Sequence, residues 1–262
     1  MCQCGATCLH TKWKNGVCMD CDKTCAHENI DTSTNTCSTC GTELTASLTA
    51  GGSTTYYIGL ADALNAAGDA GSGTCTVTLL KNAAVETVKD GGEMVTANAT
   101  IAPGHGSSDR VLDLNGYSIT GGGTITAGKS SNEGYLTITG SGEVKTTVRA
   151  ENGSLTLHAF KGAIDTLEIN DGLFSDADTT GRVGTLMLDS SGRATLRGGT
   201  IGTVTANNPN ITAADLLAQG YVFKNADGSY GDKTTSVDGL TEVTVVKCDH
   251  DGYTSGTCRY CG

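Results

Sequence analysis

Cysteine and histidine recur in one four-residue pattern at both ends of the chain. The pattern is Cys-x-His, a spacer of seven or nine residues, and then Cys-x-x-Cys. Its three copies are Cys8, His10, Cys18 and Cys21; Cys25, His27, Cys37 and Cys40; and Cys248, His250, Cys258 and Cys261. Three thiolates and one imidazole form a donor set that suits tetrahedral zinc. The sequence therefore predicts about three bound Zn2+ ions.

The predicted zinc sites are structural. Four protein ligands fill a tetrahedral site and leave no position for a reactive water, and in modules this short metal binding would supply most of the folding free energy. A disulfide framework is the alternative, because cysteines of secreted proteins are commonly paired. It is less favoured, since disulfides do not require a histidine at a fixed position. Cys2, Cys4 and Cys75 stand outside the pattern, and the sequence assigns them no role.

A second repeat lies between residues 142 and 208, in the part of the chain that the cysteine modules flank. Four segments begin with Gly-x-Val or Gly-x-Ile and continue with Thr and an aliphatic residue. These aliphatic residues recur every 18 or 19 positions and are Val148, Leu167, Leu186 and Val204. Repeats of this length indicate stacked coils. The intervening Thr, Gly, Asn and Asp residues form short alternating runs, which favour strands over the helices of a leucine-rich repeat.

This repeat predicts an all-β fold, a short parallel β-solenoid. Coils in such a fold stack about 4.8 Å apart and bury columns of aliphatic side chains. We expect the four aliphatic residues of the repeat to form one such column. The alternating positions would face outward, and they are Arg149, Glu168, Met187 and Thr205.

Short capping helices are predicted at both ends of the solenoid, where the terminal coils would otherwise expose unpaired backbone groups. Residues 58–67 carry apolar side chains at helical spacing before Gly68. Thr212 is suited to cap a second helix that begins at Ala213. The predicted division is 1–44 for two tandem zinc modules, 53–210 for the solenoid, 211–246 for its C-terminal cap and 247–262 for the third module.

Charge and composition limit the partners. The net charge of -11 leaves no basic stripe for nucleic acid or for an anionic membrane surface. No run of residues approaches the roughly 20 apolar residues of a membrane span. Because Met1 is followed at once by cysteine-rich sequence without the apolar core of a signal peptide, we expect a fragment of a larger protein whose export signal lies elsewhere.

Four stretches carry a resemblance to a known family. LADALNAAG, TVTLLKN and VLDLNGYSITGG, together with DLLAQGYVFKNADGSY near the C-terminus, are similar to pectin-lyase-like right-handed β-helix domains in large surface proteins of gut Firmicutes and Actinobacteria. The resemblance covers roughly residues 55–230, and the cysteine modules resemble those dispersed through such proteins. It implies a right-handed β-helix, an extracellular location on a bacterial cell surface, and neighbouring domains of a larger protein as partners.

The function expected from these observations is non-enzymatic. A stiff solenoid held by structural zinc would serve as an adhesin or a spacer, with a host or matrix glycan or glycoprotein as its ligand. One alternative is a carbohydrate-active enzyme of the same fold, either a polysaccharide lyase or a glycoside hydrolase. The other is a module that binds a host protein such as an immunoglobulin.

Carboxylates and arginines of the repeat are the residues on which the enzyme alternative depends. Glycosidases need two carboxyl groups across the scissile bond. Stacking of the coils could gather Asp165, Asp171, Asp176, Asp178, Asp189, Arg182, Arg193 and Arg197 on one face. Turns of a solenoid also require Asp, Asn and Gly, which favours a structural role for these residues.

Overall fold

The structure is a computed structural model that describes residues 9–101, 109–129, 133–177, 179–249, 253–254, 257–258 and 260. The chain is 50% strand and 7% helix, and its regular part is a parallel β-solenoid of about 4 turns. The fold class predicted from the sequence is thus confirmed. No helix in the described ranges has both the length and the apolarity that crossing a membrane requires.

The N-terminal half of the chain contains the first cysteine hairpins and the first coils. Its strands are β1 (Trp13–Lys14), β2 (Val17–Cys18), β3 (Ile30–Asp31), β4 (Thr36–Cys37), β5 (Ala46–Ala50), β6 (Ser53–Tyr57), β7 (Cys75–Leu79), β8 (Ala83–Lys89), β9 (Glu93–Thr96), β10 (Ala99–Ile101), β11 (Arg110–Asp113), β12 (Ile119–Gly122) and β13 (Ile125–Ala127). Helix α1 (Leu60–Asp69) lies between β6 and β7, and a 3-10 turn spans Asp90–Gly92.

The C-terminal half contains the regular coils and their cap. Its strands are β14 (Tyr135–Thr139), β15 (Glu143–Glu151), β16 (Ser154–His158), β17 (Ala163–Asn170), β18 (Leu173–Ala177), β19 (Arg182–Leu188), β20 (Arg193–Thr195), β21 (Thr200–Ala206), β22 (Tyr221–Lys224), β23 (Thr241–Lys247), β24 (Tyr253–Thr254) and β25 (Thr257–Cys258). Helix α2 (Ala213–Leu216) lies between β21 and β22.

Two long sheets form the walls of the solenoid. One has the order β20-β18-β16-β14-β11-β7-β5-β6, and the other runs β22-β23-β21-β19-β17-β15-β12-β8-β9, with β13 pairing both β10 and β15. Pairs between successive coils are parallel, whereas the strands at both ends pair antiparallel. The antiparallel strands therefore terminate the stack.

The predicted aliphatic column is present. Val148 pairs with Leu167, Leu167 with Leu186, and Leu186 with Val204. All four side chains are fully buried. Burial of apolar surface stabilises the fold by roughly 25 cal/mol per Å², so the repeat in the sequence is the repeat that builds the core.

Helix α1 covers the first coil. Its buried residues include Leu60, Leu64 and Ala67, and the helix packs against β8 and β10. The helix ends at Asp69, one residue beyond the predicted stop at Gly68. At this end of the helix the guanidinium of Arg110 donates to the backbone carbonyls of Ala67 and Ala70.

The opposite end is closed by α2 and two antiparallel strands. Asp215 accepts hydrogen bonds from both the backbone N–H and the hydroxyl of Thr212, each at 2.8 Å, so the predicted cap forms. Leu196 of the last coil donates its N–H to the carbonyl of Leu216 at 2.8 Å. Strand β23 then pairs antiparallel with β21 and β22.

Candidate metal centre

All three cysteine modules contain the same two-stranded hairpin. The residue three positions after the histidine of each motif pairs with the first cysteine of the Cys-x-x-Cys. These pairs are Trp13 with Cys18, Ile30 with Cys37, and Tyr253 with Cys258. In each module, therefore, the first cysteine of the Cys-x-x-Cys lies on the second strand of a short hairpin.

The Cys-x-x-Cys turns of the first two modules are also hydrogen-bonded alike. Asp22 and Gly41, which follow these turns, have φ of 57° and 68°, the left-handed region that suits Asp and Gly. Their N–H groups donate to the carbonyls of Cys18 and Cys37 at 2.8 and 2.7 Å. A tight turn of this kind brings the two sulfur atoms of each motif to one side of the chain.

The second module gathers all four predicted ligands. The ligand atoms of Cys25, His27, Cys37 and Cys40 lie within 4.8 Å of one another. Sγ of Cys25 is 3.7 Å from Sγ of Cys37, and Sγ of Cys40 is 3.7 Å from Nδ1 of His27. A tetrahedral zinc site requires about 3.8 Å between two sulfur ligands and about 3.6 Å between sulfur and nitrogen, given the usual bond lengths. The arrangement fits a metal and exceeds the roughly 2.0 Å of a disulfide.

The first module brings together the three of its ligands that the structure describes. The ligand atoms of His10, Cys18 and Cys21 form a second cluster, with 3.5 Å between Nδ1 of His10 and Sγ of Cys21. Cys8, the predicted fourth ligand, lies outside the described residues. Two Cys/His clusters are therefore able to hold metal ions.

The third module is described in part. Its two described cysteines, Cys248 and Cys258, are buried, and their sulfur atoms are 3.4 Å apart. His250 and Cys261 lie outside the described residues. The separation of the sulfur atoms of Cys248 and Cys258 is close to the 3.7 Å between the corresponding sulfur atoms of Cys25 and Cys37 in the second module.

Electrostatics in the second module suit a metal with thiolate ligands. Burial raises the pKa of Cys25 to about 12. Burial also acts to raise the pKa of Cys37, but the backbone N–H groups of Cys40 and Thr39 donate to its sulfur and hold this pKa below the usual 9.0. Burial lowers the pKa of His27, so its imidazole is neutral at pH 7. A divalent cation at the centre would supply the charge that ionises Cys25.

Both N-terminal modules are attached to the solenoid. Asn15 donates its amide to the carbonyl of Gly92 at 3.0 Å, and Lys81 forms a 3.0 Å ion pair with Glu43. Gly16, with φ of 75°, lies so close to Ile58 that a Cβ would approach the isoleucine to 2.7 Å. Glycine is therefore required where the first hairpin meets the solenoid.

The carboxylates and arginines of the enzyme alternative are distributed over separate structural roles. Asp189 accepts backbone N–H groups of Asp171, Ser191 and Gly192. Arg182 forms a bidentate ion pair with Glu242. The other members occupy three kinds of environment.

Those environments are as follows. Asp165 and Asp171 are exposed, Arg193 donates to neighbouring turn carbonyls, Asp176 is buried beside Arg197, and Asp178 lies outside the described residues. Among the described residues of this set, Asp189 and Arg193 bond within turns, whereas Arg182 and Asp176 bond from strands to other segments of the chain.

The burial of two charged residues was not predicted from the sequence, although Asp176 was among the candidate carboxylates. Arg110 is 1% exposed and Asp176 is 3% exposed, and each bonds to backbone groups distant in sequence. For Asp176 the sequence contains a signal, because a charged residue interrupts the apolar alternation. Ile138, Leu157 and Asp176 occupy the same inward position in successive coils. Cys75 is buried in the first coil, and Cys2 and Cys4 lie outside the described residues.

Comparisons of this chain with family models, with curated proteins and with solved structures gave no match.

Proposed function

We propose that this chain is a non-enzymatic module of a bacterial cell-surface protein, a rigid solenoid that acts as a spacer or an adhesin. The four-ligand centre of the second module carries the proposal. Its donor set provides for a closed metal site, and the module that holds it is bonded to one end of the solenoid. Such a centre supplies rigidity and no open coordination position for chemistry.

The solenoid itself supports a mechanical role. Its hydrogen bonds run between successive coils along the stack, and its aliphatic column is continuous. A spacer needs resistance to bending, and a continuous ladder with a close-packed core provides it. The pectin-lyase-like resemblance, the surface location and a glycan or glycoprotein partner belong to the same proposal.

Metal analysis tests the proposal. Purified protein should contain close to three zinc ions per chain by inductively coupled plasma mass spectrometry. Cys40→Ser should remove close to one ion, because a tetrahedral site that loses one thiolate binds zinc far more weakly. Cys75→Ser is the matched control, since Cys75 lies in the solenoid, and it should leave the zinc content unchanged.

Two outcomes would contradict the proposal. Protein without metal, in which mass spectrometry finds the cysteines of the motifs oxidised to disulfides, would refute the zinc centres. Release of unsaturated products from uronic-acid polymers, followed by ultraviolet absorbance, would refute the non-enzymatic role.

A further inference from the structure

A cleft of about 590 Å³ lies where the cysteine modules meet the solenoid. The modules contribute Trp13 and Lys14 from the first hairpin and Glu43 from the second module, and the solenoid contributes Lys81 and Glu86. Clefts between units and of this size are where small ligands commonly bind. The cleft adjoins the candidate metal centre, because Cys40, one of the four ligands of the second module, is part of its lining.

The walls of the cleft are fixed relative to each other. Asn15 of the first module is hydrogen-bonded to Gly92 of the solenoid, and the ion pair of Lys81 with Glu43 joins the solenoid to the second module. In addition, the N–H of Leu80 donates to the carbonyl of Thr45 at 2.9 Å. A preformed site loses less conformational entropy when a ligand binds.

The charges of the cleft are balanced. Lys14 and Lys81 contribute two positive charges, and Glu43 and Glu86 contribute two negative ones. Phosphorylated or carboxylated ligands would meet as much repulsion as attraction here, and an apolar ligand would desolvate these charged groups without bonding to them. A ligand with hydroxyl groups can donate to the carboxylates and accept from the ammonium groups.

Trp13 adds an aromatic surface to this polar lining. Its ring stacks on His10 with 5.7 Å between centroids and 28° between planes, which holds the indole beside the first metal cluster. Within the described residues, the buried indole N–H has no acceptor. A buried nitrogen is out of reach of a ligand in the open cleft, so Trp13 offers such a ligand its ring and not its N–H.

We infer that this cleft binds a neutral sugar residue of a glycan. The C–H face of a pyranose packs against the indole, whose ring face carries partial negative charge, and the ring hydroxyls bond to the lysines and glutamates. This inference rests on the proposed function, since it names the site and the ligand class of the adhesin role. It adds a location that the cysteine motifs and the solenoid repeat do not indicate.

Binding to an array of neutral oligosaccharides that end in glucose, galactose, mannose or N-acetylhexosamine tests the inference, with sialylated oligosaccharides on the same array. The strongest binder is then titrated by calorimetry into wild-type protein and into Lys81→Met. We expect a neutral oligosaccharide to bind, and Lys81→Met to weaken it at least tenfold. Trp13→Leu, which removes the aromatic ring and keeps an apolar side chain, should also weaken binding, provided that its zinc content is unchanged.

Lys145→Met is the matched control. Lys145 forms an ion pair of 2.9 Å with Glu143 on the solenoid, and its side chain is 49% exposed compared with 41% for Lys81. The control should bind like wild type. The inference is overturned if no neutral oligosaccharide binds, if only sialylated ones bind, or if Lys81→Met binds like wild type.

The outcomes separate the inference from the proposed function. Binding that persists in Lys81→Met leaves an adhesin whose site lies elsewhere. Cleavage of the bound oligosaccharide, seen by mass spectrometry, instead refutes the non-enzymatic role and leaves the location of the cleft in place if Lys81→Met is impaired.

Discussion

At the scale of single residues, Arg110 shows how one buried charge ties a helix to the solenoid. Its guanidinium donates to the carbonyl oxygens of Ala67, Ala70, Gly71 and Gly73 at 2.5 to 2.9 Å. The C-terminal end of a helix carries partial negative charge, so a cation there is stabilised. Arginine suits this position because its planar fork provides five N–H donors.

Arg110→Met should destabilise the protein by about 3 to 5 kcal/mol, because it leaves several buried carbonyl groups without donors. Urea denaturation of zinc-loaded protein measures the change. Arg193→Met, at an exposed arginine that donates to adjacent turn carbonyls, should change stability by less than about 0.5 kcal/mol. Equal effects of the two substitutions would contradict the role assigned to Arg110.

Asp176 illustrates a different use of a buried polar group. It occupies an inward position of the coil, where Ile138 and Leu157 stand in the preceding coils. Its carboxylate accepts the backbone N–H groups of Arg197 and Gly198, beyond the end of β20. Burial raises the pKa of Asp176 from 3.8 to about 6, and the two N–H donors and the charge of Arg197 act in the opposite direction.

The raised pKa of Asp176 makes stability depend on pH. Between pH 3.8 and 6 the folded protein holds a proton that the unfolded chain has released, so stability falls as pH rises through this window. Relative to Asp176→Asn, wild type should lose about 2 kcal/mol of unfolding free energy between pH 4 and pH 7. Urea denaturation of both proteins at each pH measures this difference, in which pH effects on the zinc sites cancel. A constant difference would show that Asp176 has an ordinary pKa.

At the scale of elements, each coil of the regular repeat alternates one side chain into the core and the next to solvent. Leu167 is fully buried between Val148 and Leu186, whereas Met187, the residue that follows Leu186 in the next coil, is 39% exposed. The outward Arg149 forms an ion pair of 2.6 Å with Glu168 in the next coil. Contacts between coils thus occur on both surfaces of a strand, but the inner surface carries the apolar burial.

Leu167→Asp should unfold the solenoid, because a carboxylate would replace a leucine in a column with no acceptor or donor to satisfy it. The milder Leu167→Ala should cost about 2 to 5 kcal/mol. Met187→Asp introduces the same carboxylate on the outer surface and should leave the fold intact. Circular dichroism and urea denaturation distinguish these results, and an unfolded Met187→Asp would contradict the assigned register.

The aliphatic column and the cysteine motifs were predictable from the sequence because their residues recur at a fixed period or lie close together in the chain. Val148, Leu167, Leu186 and Val204 recur at the length of one coil, and stacking converts that period into contact. The cysteine motif is likewise local, since a Cys-x-x-Cys turn places its own two sulfur atoms. The bonds of Arg110 to Ala67 and Ala70 were not predictable in this way, because the partners are about 40 positions apart in the chain.

At the scale of the whole molecule, the cysteine modules and the solenoid form continuous contacts at the N-terminal end. The hairpin of the first module meets Gly92 and Ile58, and the second module leads through Thr45 into the hydrogen bonding of the first coils. Metal loss from the first or second module would therefore loosen a wall of the cleft that contains Trp13 and Lys81. Loss of zinc from either module should therefore also weaken oligosaccharide binding in the cleft.

By itself, the sequence determined the coil period, the inward column, the cap at Thr212 and the ligand set of the second cysteine module. Each of these follows from residue types at short or regular spacing, which the backbone geometry of strands and turns converts directly into structure. Only the tertiary structure decided the burial of Arg110 and Asp176, the antiparallel closure by β23 and the cleft beside Trp13. These depend on segments that are far apart in the chain, and their contacts form only when the solenoid has stacked and the modules have docked on its end.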